Sequence, residues 1–127
     1  MQDESFKDTL TSETKIADDV VRLIAGLATT EVEGVVGMSS GLISNLAQLL
    51  GKEDFSNGVK CYIKENIIVI DVYVIVQYGY RIPDIAVKIQ RQVKTQIESM
   101  TGMEVVEVNV NIQGVSLSKK TASIFEE

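Results

Sequence analysis

The sequence contains no histidine and one cysteine. Histidine is the commonest general base and metal ligand in proteins, so its absence removes most hydrolytic and metal chemistry. The single cysteine, Cys61, has no internal disulfide partner and suits a reducing compartment. No combination of residues predicts a catalytic, cofactor or metal site, and the chain reads as a binding protein and not as an enzyme.

Basic residues are also scarce, with 12 Lys and Arg against 18 Asp and Glu and a net charge of -6. Nucleic acids and anionic lipid headgroups draw their affinity from Lys and Arg, so this balance opposes binding to either. The longest apolar run is interrupted by Asp71 and is too short to span a bilayer, and the N-terminus lacks the features of a signal peptide. We therefore expect a cytoplasmic protein without direct membrane insertion.

The length of 127 residues, with 45% hydrophobic and 24% charged residues, predicts one globular domain. Residues 1–14 are polar and acidic without periodicity and predict a flexible arm. Residues 118–127 predict a flexible C-terminal tail. The predicted domain therefore occupies residues 15–117.

A β-branched and aromatic run over residues 67–80 predicts a long central strand. Its even positions form one apolar face, which is predicted to be core: Ile68, Ile70, Val72, Val74, Val76 and Tyr78. Its odd positions are a mixture: Ile67, Val69, Asp71, Tyr73, Ile75 and Gln77. This second face is too polar to bury and too apolar for a plain solvated surface, which makes it the most informative feature of the sequence.

Residues 59–64 alternate in polarity and predict a hairpin with the central strand through a turn at Glu65 and Asn66. Counting outwards from the turn puts Lys60 opposite Asp71, and we predict a cross-strand ion pair between them. Cys61 falls on the core side of the hairpin, where a buried, inert thiol is expected.

Helical spacing predicts amphipathic helices over residues 18–31 and from Pro83 to Gly102, and a short helix over residues 42–50. The apolar positions of the two main helices are Val20, Val21, Ile24, Leu27 and Ala28, and Ile82, Ile85, Ala86, Ile89, Val93, Ile97 and Met100. Residues 35–38 predict a short strand.

The last predicted strand covers residues 104–115, with Val106, Val108, Val110 and Ile112 directed inward. A helical crossover makes this strand parallel to the central one, whereas the hairpin is antiparallel. The predicted fold is therefore α+β: a two-layer sandwich with a mixed sheet of three or four strands and two main amphipathic helices on one face.

Three short motifs imitate functional sites. Residues 37–41 match the G-x-S-x-G elbow, whose serine needs the histidine that this chain lacks. Residues 34–37 imitate the GXXG loop of KH domains, but lack neighbouring Lys or Arg. Lys88, Arg91 and Lys94 form a stripe that nearby acids offset, as on a solvated helix face.

Two helices can cover one side of the sheet, so the odd side of the central strand is predicted to stay open. Apolar and aromatic residues inside a polar rim are typical of interaction surfaces. The predicted protein-interaction residues are Tyr62, Val69, Tyr73, Ile75 and Gln77, with Lys60 and Asp71 beside them. The alternative is that the helix over residues 42–50 or a tail covers this side and makes it a second piece of core.

Residues 15–36, 58–79 and 81–115 resemble, in that order, the alkaline shock protein family, also called the envelope stress response family of Gram-positive bacteria. The most recognisable sequence motifs are EVEGV at residues 31–35, VQYG at residues 76–79 and QGV at residues 113–115. The resemblance covers about residues 15–117.

The resemblance implies a small non-enzymatic cytoplasmic protein that self-assembles, can be held at the membrane by an anchor protein and acts in cell-envelope homeostasis. It supplies no catalytic residues. One hypothesis is a homo-oligomeric scaffold or adaptor that docks on a membrane-anchored partner. The short termini are similar to those of the family's short members, which gives a second hypothesis: a regulatory protein that binds a cytosolic metabolic enzyme, for instance in lipid synthesis.

Overall fold

The computed structural model describes residues 14–39 and 57–117. In chain order the elements are α1 (Asp18–Thr30), β1 (Val35–Met38), β2 (Val59–Lys64), β3 (Ile67–Gln77), α2 (Ile82–Thr101) and β4 (Glu104–Ser116). The predicted α+β arrangement with a mixed sheet of three or four strands is confirmed, and the sheet has four strands. The short helix predicted over residues 42–50 lies outside the described residues.

The central strand β3 pairs with each of the other three strands. β4 is parallel to β3 and pairs with one of its edges. β2 and β1 are antiparallel to β3 and pair with the other edge, β2 with the first part of β3 and β1 with the last part. Tyr73 lies where the pairing partner of β3 changes from β2 to β1. The Tyr73 N–H donates to the Gly58 carbonyl, and the Ser39 N–H donates to the Tyr73 carbonyl, both at 2.8 Å. This places β1, whose position in the sheet the sequence did not determine.

The predicted hairpin register is confirmed. Lys60 lies opposite Asp71, Cys61 opposite Ile70 and Lys64 opposite Ile67. The two-residue turn requires left-handed backbone, which Glu65 supplies with φ 58°. Because strand side chains alternate between faces, this register determines which β2 residues lie on each side of the sheet.

The core lies between the even side of β3 and the two helices. Ile68, Ile70, Val72 and Val74 are fully buried and Val76 is 1% exposed. The helices bury Val21, Ile24, Ala25 and Ala28 from α1 and Ile85, Ile89, Val93 and Ile97 from α2 against them. Each buried branched side chain contributes about 1.5–3 kcal/mol, so this layer dominates the stability of the fold.

Two predicted core positions on the strands are wrong. Tyr78 is 62% exposed, because β3 ends at Gln77 and Tyr78 lies in the following turn. Val106 is 51% exposed while Val105 is 2% exposed, because the pairing of β4 with β3 shifts by one residue between Val105 and Glu107. Such a bulge reverses the inward and outward alternation at that point.

Four apolar helix positions are surface residues instead of core: Val20 at 46% exposure, Leu27 at 38%, Ile82 at 38% and Met100 at 67%. On α1 the contact face is rotated toward the small residues Ala25, Gly26 and Thr29, all of which are buried. The Thr29 hydroxyl donates to the Ala25 carbonyl at 2.7 Å, which satisfies this buried polar group.

The end of α2 is joined to the start of β4 by a polar cluster. Gly102 ends the helix in the left-handed conformation with φ 76°. The Glu98 carboxylate accepts hydrogen bonds from Lys94 at 2.7 Å and from the Val105 N–H at 2.9 Å. Both bonds lower the pKa of Glu98, and the bond from Lys94 has the larger effect. The cluster holds the first residues of β4 in the register that its bulge requires.

Candidate functional site on the open face of the sheet

We use the name open face for the side of the sheet opposite the two described helices, formed by the odd positions of β3 and their neighbours on β2 and β4. The strand registers arrange its first three rows as Lys64, Ile67 and Glu104; Tyr62, Val69 and Glu107; and Lys60, Asp71 and Asn109. Tyr73 and Ile75 continue the central column, with Asn111 and Gly114 beside them on β4.

The centre of the open face is an apolar strip. Tyr62 is 56% exposed and Ile67 is 45% exposed. Val69, Tyr73 and Ile75 are half-buried, in contrast to the full burial on the other side of β3. The structure therefore brings together four of the five predicted interaction residues, and their role in binding stays a prediction.

Gln77 differs from the other four because it is 8% exposed and does not form a polar rim. Its backbone N–H donates to the Gly34 carbonyl at 2.7 Å on one side, and Ser116 of β4 is its register partner on the other. Both polar atoms of its side-chain amide are buried without a hydrogen-bond partner. An unpaired buried polar group typically costs about 1–3 kcal/mol.

The predicted ion pair between Lys60 and Asp71 is not formed, although the two residues are register partners. Lys60 Nζ lies 5.5 Å from the centroid of the Tyr73 ring, a cation–π contact. Asp71 Oδ1 accepts a hydrogen bond from Asn109 Nδ2 at 2.7 Å. The parallel neighbour β4 thus supplies the partner that the hairpin alone suggested would be Lys60.

Charge is divided between the two edges of the open face. Lys60 and Lys64 lie on β2, whereas Glu104 and Glu107 lie on β4, and all four are exposed. Glu104 and Glu107 are three residues apart and would point to opposite sides of a regular strand. The bulge at Val106 puts both on the open face. The sequence did not reveal this acidic edge, because a one-residue register shift is set by pairing and not by composition.

Cys61 is half-buried on the opposite side, where its thiol lies 3.8 Å from the Asp18 carbonyl oxygen. Burial, and then the nearby Asp18 charge, raises the pKa of the thiol. The thiolate is the reactive form of cysteine, so this environment disfavours reactivity. The predicted burial is only partial, because Cys61 lies on the outer strand β2 and not on β3.

The helix side carries a shallow cleft of about 360 Å³ lined by Glu31, Val32, Glu33, Lys88, Arg91 and Gln92. Gln92 and Gln96 both donate to the Glu31 carboxylate, at 3.0 and 3.2 Å. Of the basic stripe, Lys94 pairs with Glu98 and the other two residues line this cleft beside acids. The stripe therefore does not form a uniformly basic surface.

Within residues 14–39 and 57–117, no group of three or more His, Cys, Asp or Glu could hold a metal ion. In the same part of the chain, no helix combines the length and the apolar character needed to cross a membrane.

Comparison with known proteins gives a family match over residues 7–117, to the alkaline shock protein 23 family, whose function is described as cell envelope-related. The uncharacterized protein YqhY of Bacillus subtilis is 31% identical over 118 residues, covering 93% of this chain and 87% of YqhY. The uncharacterized protein YloU of the same organism is 36% identical over 105 residues, covering 81% of this chain and 88% of YloU.

A Streptococcus pyogenes protein named as a stress response regulator gls24 homolog is 30% identical over 110 residues, covering 86% of this chain and 59% of that protein. Among solved structures, the MamM CTD is similar with a TM-score of 0.48 and 13% sequence identity, covering 77% of this chain and 99% of that one. No functional conclusion follows from a structural likeness at this level.

Proposed function

The chain belongs to the alkaline shock protein 23 family, and we propose that it is a non-enzymatic scaffold or adaptor that self-associates through the open face. In this proposal it docks on a membrane-anchored partner at the inner side of the cell envelope. The envelope-related description of the family and the relatives named as stress response regulators support this setting.

The proposal rests on one observation: β3 has β-branched residues on both sides, yet within residues 14–39 and 57–117 the helices pack on only one of them. Val72 and Val74 are fully buried under the helices, whereas Val69, Tyr73 and Ile75 are half-buried on a side that neither described helix contacts. Aromatic and branched residues at the centre of a polar-rimmed patch are frequent energetic anchors of interfaces. The strip therefore has the composition of a surface that a protein partner covers.

The test is the double variant Tyr73→Gln and Ile75→Thr. It removes apolar surface from the strip, so we expect self-association or partner capture to weaken by about 2 kcal/mol or more. The melting temperature of the dilute protein should change by only a few degrees, roughly the effect of 1 kcal/mol or less in a domain of this size. Sedimentation velocity at several concentrations and thermal melts on the same samples measure both quantities.

The matched control is Val20→Thr with Leu23→Gln, which removes exposed apolar surface from α1, where these side chains are 46% and 42% exposed. The control should associate like the wild type. If the strip variant instead unfolds, and its size at matched folded fraction equals that of the wild type, the strip is a second piece of core and the proposal is wrong.

Affinity purification from the native bacterium, with wild type and strip variant in parallel, separates two kinds of partner. A membrane-anchored protein that the wild type retains and the strip variant loses supports the adaptor role. A cytosolic metabolic enzyme retained in the same way supports the alternative role of enzyme regulator.

A further inference from the structure

We propose that the occupant of the open face is a second copy of this chain, packed face to face about a two-fold axis parallel to β3. This inference deepens the proposed function and rests on it, since it specifies how two copies are arranged over the strip. It follows from the position of the charges on the two edges of the face.

The open face has opposite charge at its two edges. Lys60 and Lys64 lie along β2, and Glu104 and Glu107 lie along β4. Adjacent strands lie about 4.8 Å apart, so roughly 10 Å of apolar strip separates the two edges. Among the described residues, none of these four side chains has an ion-pair partner within its own chain.

Two copies of a sheet can face each other about a two-fold axis in the plane between them. An axis parallel to β3 exchanges left and right, so β2 of one copy lies over β4 of the other. In that arrangement Lys64 of one copy lies over Glu104 of the second copy, in the same row. An axis perpendicular to β3 would put basic edge over basic edge and acidic edge over acidic edge. The charges therefore select the parallel axis.

The same axis puts like residues of the central column together: Val69, Tyr73 and Ile75 of each copy meet their counterparts. It also brings the two Asp71 carboxylates toward each other, which opposes association. Lys60 and Asn109 lie in the same row as Asp71, so the row as a whole has no net charge. Stacked sheets pack about 10 Å apart, a separation that these side chains fill.

The size of the face predicts a weak, salt-sensitive dimer. Three strands and the eleven residues of β3 cover on the order of 500 Å² per copy. The total of roughly 1,000 Å² is at the lower limit for specific interfaces. At this size, edge charges decide whether the two copies associate, because the apolar strip alone leaves little surplus free energy.

The experiment uses two charge-reversed variants. The acidic variant carries Lys60→Glu and Lys64→Glu, and the basic variant carries Glu104→Lys and Glu107→Lys. The affinity of each variant for itself should fall about tenfold or more, because both edges of its open face then carry charge of the same sign. An equimolar mixture should form a heterodimer at least as tight as the wild-type dimer, as measured by sedimentation equilibrium.

The control is Lys88→Glu with Arg91→Glu, which changes the net charge as the acidic variant does but on the helix side. It should dimerise like the wild type, and equal weakening would mean that net charge alone governs association. The two-fold arrangement is wrong if either charge-reversed variant self-associates normally, or if the mixture is no tighter than the separate variants.

If a charge-reversed variant does not fold, the wild type gives a second measurement. The wild-type dimer should weaken about tenfold between low salt and 0.5 M NaCl, where the screening length falls to roughly 4 Å. An unchanged affinity overturns the arrangement.

The experiments distinguish failure of this inference from failure of the proposed function. Loss of association in the strip variant without complementation between charge variants leaves the open face as an interface but rejects the two-fold axis. Normal association in the strip variant rejects both.

Discussion

The two sides of β3 carry similar residues and have different environments. On the even side, Val72 and Val74 are fully buried beneath the helices. On the odd side, Val69 and Ile75 are of the same branched type but only half-buried, with charged residues in the flanking columns. The comparison shows that residue type makes a strand face available for burial, and that the elements packed on it decide whether burial occurs.

The largest expected effect comes from a charge on the packed side. Val74→Asp places an unpaired carboxylate among Ile70, Val72 and Val76, which are 0–1% exposed. We expect a cost of about 4 kcal/mol or more, enough to unfold a marginal domain. Val69→Asp is the matched control on the half-buried side, where the carboxylate reaches water and the cost is smaller. Urea denaturation measures both, and equal costs would show that the odd side is also core.

Each side of β3 has a glycine close to it, and adding a methyl group at the two glycines should have different costs. Gly34 has φ 100°, and a Cβ there would lie 2.8 Å from Ile85 Cδ1 in the core. Gly34→Ala should therefore cost about 2 kcal/mol from backbone strain and overpacking. At Gly114, a Cβ would lie 3.2 Å from Ile75 Cδ1, a flexible end on the open face. Gly114→Ala should cost less than about 1 kcal/mol. Thermal melts rank the two, and the reverse order would contradict the packing described.

On the open face, we expect a small favourable coupling energy between Lys60 and Tyr73, which form the cation–π contact. A double-mutant cycle with Lys60→Met and Tyr73→Leu should give a coupling of about 0.5 kcal/mol. The cycle of Lys60→Met with Asp71→Asn should give less, because Asp71 is bonded to Asn109. A larger coupling energy of Lys60 with Asp71 than with Tyr73 would contradict these contacts and support the Lys60–Asp71 ion pair predicted from the hairpin.

The smallest effect is the pH dependence contributed by Glu98. Its folded pKa lies below the ordinary value of 4.5 because Lys94 and the Val105 N–H stabilise the carboxylate. Its contribution is therefore fully present above the unfolded pKa and is lost as pH falls through the lowered folded pKa. The stability difference between wild type and Glu98→Gln should be constant from pH 7 to pH 6 and should shrink below the ordinary value. A difference that is unchanged in acid would exclude this linkage.

Local patterns predicted much of the fold because they involve near neighbours. The hairpin register followed from the alternation in residues 59–64 and the two-residue turn at Glu65 and Asn66, and the structure confirms it. The end of α2 followed from the helical spacing and Gly102. Of the candidate site, the strip of Tyr62, Val69, Tyr73 and Ile75 followed from side-chain alternation alone.

The rest could not be predicted because it depends on how β4 is paired. The bulge between Val105 and Glu107 exposes Val106 and brings Glu104 and Glu107 onto one face. The side-chain amide of Asn109 displaces Lys60 as the partner of Asp71. Neither has a signal within its own segment, since both require residues about 38 positions apart to meet.

The amino-acid sequence alone predicted a central strand with one apolar side and two amphipathic helices to cover that side. It did so because alternation and helical spacing are properties of the local backbone. The pairing of distant strands, in contrast, determines that β1 and β2 share one edge of β3, that Gln77 is buried, and that basic and acidic edges flank the apolar strip. These features depend on the register between distant strands, where a shift of one residue moves every side chain to the other face.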